Sequence, residues 1–259
     1  MRNLFDYFID LTDKRTCLIK DVLLSKGEQV FDFNEKNLKL IKRGDVCLFP
    51  PSKTFTKKEL EVFPNEIIIF AGKLDNDVKT LVNTKNIDYV DFTKDESFTY
   101  KNAILTAEGT LSLIFSTSTK SIFEKEILVF GFGRIGKALS LLLSKLGVNF
   151  SISTFNEKEF NDSLIYTNNR FFNKEYSTFI SKYDVIINTI PFEFFTLEEI
   201  SKIKKESLFI ELASVSSINK DYQKEFIYEQ ARGLPQKTTL VSATNLMIEQ
   251  MEKKLWKKP

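Results

Sequence analysis

The sequence predicts an α/β protein of two open α/β domains, the second a Rossmann-type parallel sheet, with a C-terminal helix packing back toward the first. Three observations predict it. Short apolar runs alternate with amphipathic stretches from end to end, a β/α rhythm. A glycine-rich turn joins one such run directly to a helical pattern. The length of 259 residues exceeds the roughly 100–200 of a single ordinary domain.

Taken in order, the first domain (residues 1–100) carries candidate strands at 7–11, 29–33, 45–49, 66–71 and 88–92, each bounded by polar sequence. Between them, 14–26 repeats apolar residues at helical spacing and stops at Gly27, and 56–63 and 76–83 read as two further helices. Residues 94–101 are polar and charged and mark the junction. A helix follows over 106–117, with Thr106 as its N-cap and Glu108 as a first-turn acid that suits the helix dipole. A second role for Thr106 and Glu108, as a pair at the substrate cleft, is carried forward beside that one.

The second domain (101–238) is expected to hold strands at 127–130, 149–154, 184–190 and 208–212, with helices at 135–146, 176–182, 197–204 and 220–229. The segment 239–259 contains an amphipathic helix at about 241–256, whose apolar side needs cover and is expected to find it on the first domain.

Composition removes several function classes. With 37 basic against 35 acidic residues, the net charge of +2 is too balanced for binding a nucleic-acid backbone by counterion release. The chain has no histidine, so imidazole acid/base catalysis, Ser-His-Asp chemistry and His-ligated zinc are excluded. Cys17 and Cys47 stand alone, without metal-ligand spacing, and are read as small apolar residues in a reducing cytoplasm; no metal is expected. Asp6 and Asp10 interrupt the start, and no run of 18 apolar residues occurs, so neither a signal peptide nor a membrane span is expected.

The main chemical signal is Ile127-Leu128-Val129-Phe130-Gly131-Phe132-Gly133-Arg134-Ile135-Gly136. Gly131 makes the tight turn, Gly133 leaves room for a pyrophosphate, and Gly136 lets the helix approach the strand. The amides of Arg134 and Ile135 then belong to the helix start that faces the anion. The bland alternative is that the glycines only shape a strand-to-helix turn. The adenosine ribose is read about 20 residues on, where Thr154 and Asn156 stand at the strand tip and no acid does; this tilts the cofactor toward NADP over NAD.

Asn188, Thr189 and Pro191 close the next strand and are placed beside the cofactor. Glu211 and Ser214 end the strand after it, with Glu211 as the candidate base or, alternatively, a carboxylate capping nearby amides. Arg232 and Lys237 flank Gly233-Leu234-Pro235 as candidate partners for substrate carboxylates, Arg232 preferred for its bidentate fork; the competing reading makes them solvated surface cations.

Five segments share their order and spacing with a known family: 102–109 (Asn-Ala-Ile-Leu-Thr-Ala-Glu-Gly), the fingerprint with Arg134, 187–191 (Ile-Asn-Thr-Ile-Pro), 211–214 (Glu-Leu-Ala-Ser) and 233–235 (Gly-Leu-Pro). In them the chain resembles the A-subunit family of dipicolinate synthases over about residues 7–256. The resemblance implies oxidation of a dihydrodipicolinate-type ring to dipicolinate with NAD(P)+, in the mother-cell cytoplasm of an endospore former. It also implies a partner, the flavoprotein-like B subunit. Two places depart from the family pattern. Leu11-Thr12-Asp13-Lys14-Arg15 keeps an Asp-x-Arg but lacks the glycine pair before it, and Val215-Ser216-Ser217 stands where Pro-Gly-Gly is usual. The alternatives kept open are a non-catalytic NAD(P)-binding regulatory or assembly subunit, and a two-domain dehydrogenase of another small acid. A homo-oligomer is left open too.

Overall fold

The computed structural model describes residues 5–255, and the chain divides into two compact units, Met1–Asn102 with Thr239–Pro259 and Ala103–Thr238. The first unit begins with β1 (Asp6–Ile9), α1 (Lys14–Ser25), β2 (Gln29–Asp32), α2 (Glu35–Leu38), β3 (Val46–Leu48), α3 (Lys57–Glu61), β4 (Ile68–Ala71), α4 (Asn76–Thr84) and β5 (Asp88–Asp91). Helix α5 (Glu96–Thr117) leads out of it. The second unit adds β6 (Ile127–Phe130), α6 (Arg134–Leu146), β7 (Phe150–Thr154), α7 (Glu157–Asp162), β8 (Arg170–Phe172), β9 (Val185–Asn188), α8 (Leu197–Ser201), β10 (Leu208–Glu211), β11 (Ile227–Gln230) and α9 (Leu234–Thr238). The last helix, α10 (Leu240–Leu255), packs on α1, as the sequence leads one to expect; the predicted end of this helix, Trp256, lies outside the described residues.

Both sheets are parallel. The first has strand order β2-β1-β3-β4-β5; the second, read from its far edge, runs β8-β7-β6-β9-β10-β11. Parallel strands need crossovers that cover both faces, which is why their sequences read as unbroken apolar runs. In the second unit Ile127, Val129, Ile152, Ile187 and Ile210 point to one core with α5 and α6 residues such as Ala107 and Leu139. Leu128, Phe130, Ile186 and Phe209 point to the other, which is rich in aromatic rings.

Several expectations are corrected. The helix expected from Thr106 starts ten residues earlier: α5 is one helix from Glu96, with Asp95 Oδ1 accepting the Phe98 amide at 2.7 Å. Phe98, Ala103, Ala107, Leu111 and Ile114 are buried at helical spacing, and that stripe carries the helix through a segment whose other residues are polar. Thr106 therefore sits in mid-helix and caps nothing. The helix expected at 220–229 is a 3-10 turn (Lys220–Glu225) followed by edge strand β11, and the one at 176–182 resolves into two 3-10 turns. Cys47 is buried in the first core, where burial pushes its thiol pKa up; Cys17 is half-buried and turns its thiol to the Leu11 carbonyl. Among the described residues no helix is long and apolar enough to cross a membrane.

Local chemistry explains the element starts. Asp13 caps α1 through the Arg15 amide at 2.9 Å, while the Arg15 side chain closes on both carboxylate oxygens at 2.9 and 2.7 Å. The Asp-x-Arg that lacks its glycines is thus a buried clamp on the β1–α1 turn. Thr56 and Glu59 form a capping box at α3, and Lys53 bonds Glu59 at 2.5 Å.

The Lys53 hydrogen bond, then the Thr56 amide, lower the Glu59 pKa to about 2. Because the folded value lies below the unfolded one, the stabilisation is complete above the unfolded pKa and fades as the pH falls to about 2. Melting curves of wild type and Glu59→Gln should therefore differ at neutral pH, by the equivalent of about 0.5–1 kcal/mol, and converge on acidification. A gap that does not close would contradict this account.

Candidate functional site

The glycine turn lies where the strand order reverses, between β6 and β9, the crevice in which open α/β sheets place ligands. Gly131 takes φ +90°, and a Cβ there would stand 2.5 Å from Thr189 Oγ1. A Cβ on Gly136 would stand 2.1 Å from the Gly131 carbonyl oxygen, a backbone atom that cannot move aside. Two glycines are therefore fixed by contact alone. Gly133 is different: it is exposed, nothing lies within 4 Å of the place its Cβ would take, and no side chain caps α6 from that position. Helix α6 starts at Arg134, so the amides of its first turn have no acceptor within the helix, while the space beside Gly133 is open. An anion such as a pyrophosphate fits this arrangement, and Gly133, Arg134, Ile135 and Gly136 are the residues that would hold it. Arg134 is exposed at the helix start.

Along β7 the predicted ribose contacts are only partly free. Thr154 is fully buried and turns its hydroxyl to the Asn156 carbonyl at 3.4 Å. Asn156 caps α7, its Oδ1 accepting from the Lys158 and Glu159 amides at 2.9 and 3.4 Å. This corrects the expectation that the Thr154 hydroxyl reaches a cofactor; the exposed Asn156 amide group remains at the strand tip. Sequence reasoning passes over Phe155, whose ring lies 6.3 Å from that of Phe192 in the loop after β9. Both rings follow strands whose carboxyl ends flank β6, at the same sheet edge as the glycine turn.

The tips of β9 and β10 are joined by a buried polar network. Glu211 is 0% exposed. Its Oε1 accepts from Asn188 Nδ2 at 2.7 Å and the Ala213 amide at 3.1 Å, and its Oε2 from the Ser217 amide and hydroxyl at 2.8 and 2.7 Å. Asn188 spends its remaining groups on Ile190, accepting from its amide at 3.0 Å and donating to its carbonyl at 2.9 Å. The reading of Glu211 as base is corrected: four donors fill its acceptor sites and no face is open to a substrate. Asn188 is likewise turned inward, away from any ribose. Thr189 donates to the Phe130 carbonyl at 2.7 Å and holds the β6–β9 edge, and Pro191 is exposed beyond it.

Ser214 is exposed, and the Arg232 guanidinium bonds the carbonyls of Ala213 and Ser214. Arg232 thus ties down the 212–217 loop with Nε and one Nη, rather than lying free as a carboxylate fork. Lys237 is exposed in the last turn of α9, and Glu108 is exposed on α5. Their motifs do meet: a Cβ on Gly109 would come within 2.9 Å of Leu234 Cβ, so the glycine beside Glu108 makes room for Gly233-Leu234-Pro235. That packing is the reason for the paired segments, and periodicity does not reveal it.

Gly136→Ala should cost about 1–3 kcal/mol of stability through forced overpacking. Gly133→Ala should stay within about 0.5 kcal/mol of wild type and lose at least about tenfold in pyridine-nucleotide affinity. Denaturant unfolding and nucleotide titration of the two variants separate these effects, and equal stability loss in both would refute the division. Glu211→Gln places an amide NH2 against donors and should cost about 2–4 kcal/mol. A variant as stable as wild type, with only turnover reduced, would restore the base assignment.

Residues 104–227 match the family model described as D-isomer specific 2-hydroxyacid dehydrogenase, NAD binding domain. The A subunit of dipicolinate synthase from Bacillus subtilis (strain 168) is 23% identical over 155 residues, which is 60% of this chain and 52% of that protein's own length. The crystal structure of the dipicolinate synthase A subunit from Bacillus halodurans superposes with a TM-score of 0.81 at 19% identity, covering 97% of this chain and 98% of that one. Its counterpart from Bacillus subtilis gives a TM-score of 0.79 at 18% identity, over 99% and 97%. In its motifs and in its architecture, the protein resembles the A subunits of dipicolinate synthase, with a second unit matching the NAD-binding domain of 2-hydroxyacid dehydrogenases.

Proposed function

We propose that the chain is the A subunit of a dipicolinate synthase, oxidising dihydrodipicolinate to dipicolinate with NAD(P)+ in the mother-cell cytoplasm of an endospore former, together with a B subunit. The observation that carries the reading is the turn at Gly133, where uncapped amides of α6 and open space coincide at the point of strand-order reversal. The nucleotide, when bound, supplies a hydride acceptor.

The chain's own part is to bind and orient. The amides of α6 and Arg134 take the phosphates, Asn156 marks the adenosine end, and Thr189 with Pro191 bounds the edge nearer the reacting ring. The 212–217 loop, held by Glu211 and Arg232, presents Ser214 outward beside that edge. Oxidation to the aromatic ring releases one hydride and one proton. With no histidine in the chain and Glu211 saturated, water at the open edge is assigned the proton. Lys237 and Glu108, both exposed, and Thr106 on α5 stay secondary candidates for the substrate's polar groups.

The saturation of Glu211 also favours a second reading, an NAD(P)-binding subunit that senses or assembles without turning over. Thermal shift and product formation separate the two. Either NAD+ or NADP+ at about 100 times its Kd should stabilise the chain by about 2.7 kcal/mol, and the stronger shift identifies the cofactor. Co-purified A and B subunits should then form NAD(P)H and an aromatic pyridine dicarboxylate in step. Binding without turnover selects the second reading; no shift with either nucleotide defeats both.

A further inference from the structure

The first unit has its own point of strand-order reversal, between β1 and β3, and a cavity of about 390 Å³ opens there. Its lining residues Asp10, Phe33 and Phe49 directly follow β1, β2 and β3, so the cavity sits at the carboxyl ends of the strands, where open α/β sheets bind ligands. Its volume lies within the roughly 300–1,000 Å³ of small-molecule sites.

The wall of the cavity is apolar, and its aromatic rings are packed on one another. Phe33 and Phe63 lie stacked, 5.7 Å apart with 17° between planes, and Phe49 meets them edge-on at 4.7 and 6.1 Å. At these separations the rings already fill each other's contact range, so the wall selects apolar bulk and not a flat ring clamped between parallel faces. Leu38 and Val62, the latter 56% exposed, extend it with branched aliphatic carbon.

Two acids, Asp10 and Glu59, stand against two lysines, Lys53 and Lys58, on the same lining. One pair is closed: Lys53 bonds Glu59 at 2.5 Å, and Glu59 also accepts from the Thr56 amide and hydroxyl. The other two charges are open. Asp10 is half-buried and accepts the Thr12 amide and hydroxyl through Oδ1, at 2.8 and 2.6 Å, while its Oδ2 has no hydrogen bond and no cation among the described residues. Lys58 is exposed, and its ammonium has no ion pair or hydrogen bond among the described residues. A lone anion or a lone cation in the cavity would satisfy one of the two and set a like charge against the other. A ligand that carries an ammonium and a carboxylate beside an apolar group satisfies both.

We propose that this cavity binds a free α-amino acid with a large apolar side chain, its ammonium on Asp10 Oδ2, its carboxylate toward Lys58 and its side chain against Phe33, Leu38 and Val62. An α-amino acid holds both charges on one carbon, and the flexible stem of Lys58 lets that ammonium close on the carboxylate from the rim. The site belongs to the first unit alone and goes beyond the nucleotide reading.

Its test uses the full chain without nucleotide, so a failed redox assay does not decide it. Leucine is titrated by ligand-observed NMR at neutral pH, beside 4-methylpentanoate, which lacks its ammonium, and 3-methylbutylamine, which lacks its carboxylate. Leucine should bind more tightly than either. Asp10→Asn, which keeps Oδ1 for Thr12, should weaken leucine about tenfold and leave 4-methylpentanoate unchanged or bound more tightly. Lys58→Met, which keeps an apolar stem at an exposed position, should weaken leucine about threefold and leave 3-methylbutylamine unchanged or bound more tightly. Val62→Trp, which narrows the cavity from an exposed position, should abolish leucine binding while the circular dichroism spectrum stays that of the wild type. The proposal fails if leucine does not bind, if either analogue binds as tightly as leucine, if the two charge variants weaken leucine and both analogues alike, or if Val62→Trp binds leucine like the wild type.

Discussion

The second unit depends on one close approach, backbone against backbone, where Gly136 rests on the Gly131 carbonyl. A single added carbon there would stand at 2.1 Å, well inside any tolerated contact. The approach sets α6 against β6, and Thr189 locks β9 to the same place by donating to the Phe130 carbonyl while standing beside Gly131. Two of these elements are thus fixed by backbone atoms that have no rotamers to adjust, and the third by one short threonine side chain. Only the middle glycine is left without steric duty, and it faces open space. The turn separates two jobs that a bare motif cannot separate: Gly131 and Gly136 make the fold, and Gly133 leaves the opening.

A second constraint acts at the neighbouring strand tips. A carboxylate buried without partners would cost several kcal/mol; Glu211 has four donors, drawn from Asn188, Ala213 and Ser217. This gives a physical meaning to the departure from the family's Pro-Gly-Gly. Glycines would leave the loop after β10 free in its backbone, whereas here Ser217 binds Glu211 and Ser216 lies 2.9 Å from the Tyr228 hydroxyl. Arg232 adds a tie to the carbonyls of Ala213 and Ser214. The loop exchanges conformational freedom for tethering. The same exchange occurs in the first unit, where Asp13 and Arg15 clamp a turn that lacks the glycine pair.

What is legible in the sequence follows from which forces act locally. The parallel strands can be read as apolar runs because both of their faces are covered, and the glycine turn because its φ and contact demands select a residue type. Helix α5 reads as shorter than it is because its first turns are polar on all but the Phe98 side, so a surface-like composition hides a continuous stripe. Strands β8 and β11 escape sequence reading because β8 has only three residues, Arg170–Phe172, and β11 in Ile227-Tyr228-Glu229-Gln230 is mostly exposed. At the site, sequence places Glu211, Asn188 and Thr154 at the right strand tips but orients them wrongly. A polar residue at a strand tip reads the same whether it turns to a ligand or to the next loop.

That ambiguity bears on how catalysis can be arranged in a chain without histidine. If every polar side chain at the carboxyl edge that is buried enough to be perturbed is also saturated, none is left to carry a proton. On the proposed function, the edge would work by geometry, with amides at α6, a tethered loop after β10, and water for the proton. Oxidation of a dihydropyridine tolerates this because gaining aromaticity supplies driving force that a strong base would otherwise have to provide. Oxidation of a hydroxy acid has no such gain, and it needs a base at the hydroxyl. The proposed oxidation to an aromatic ring is therefore compatible with a chain that has no imidazole and a saturated Glu211, because product stability would do the work that side chains do elsewhere.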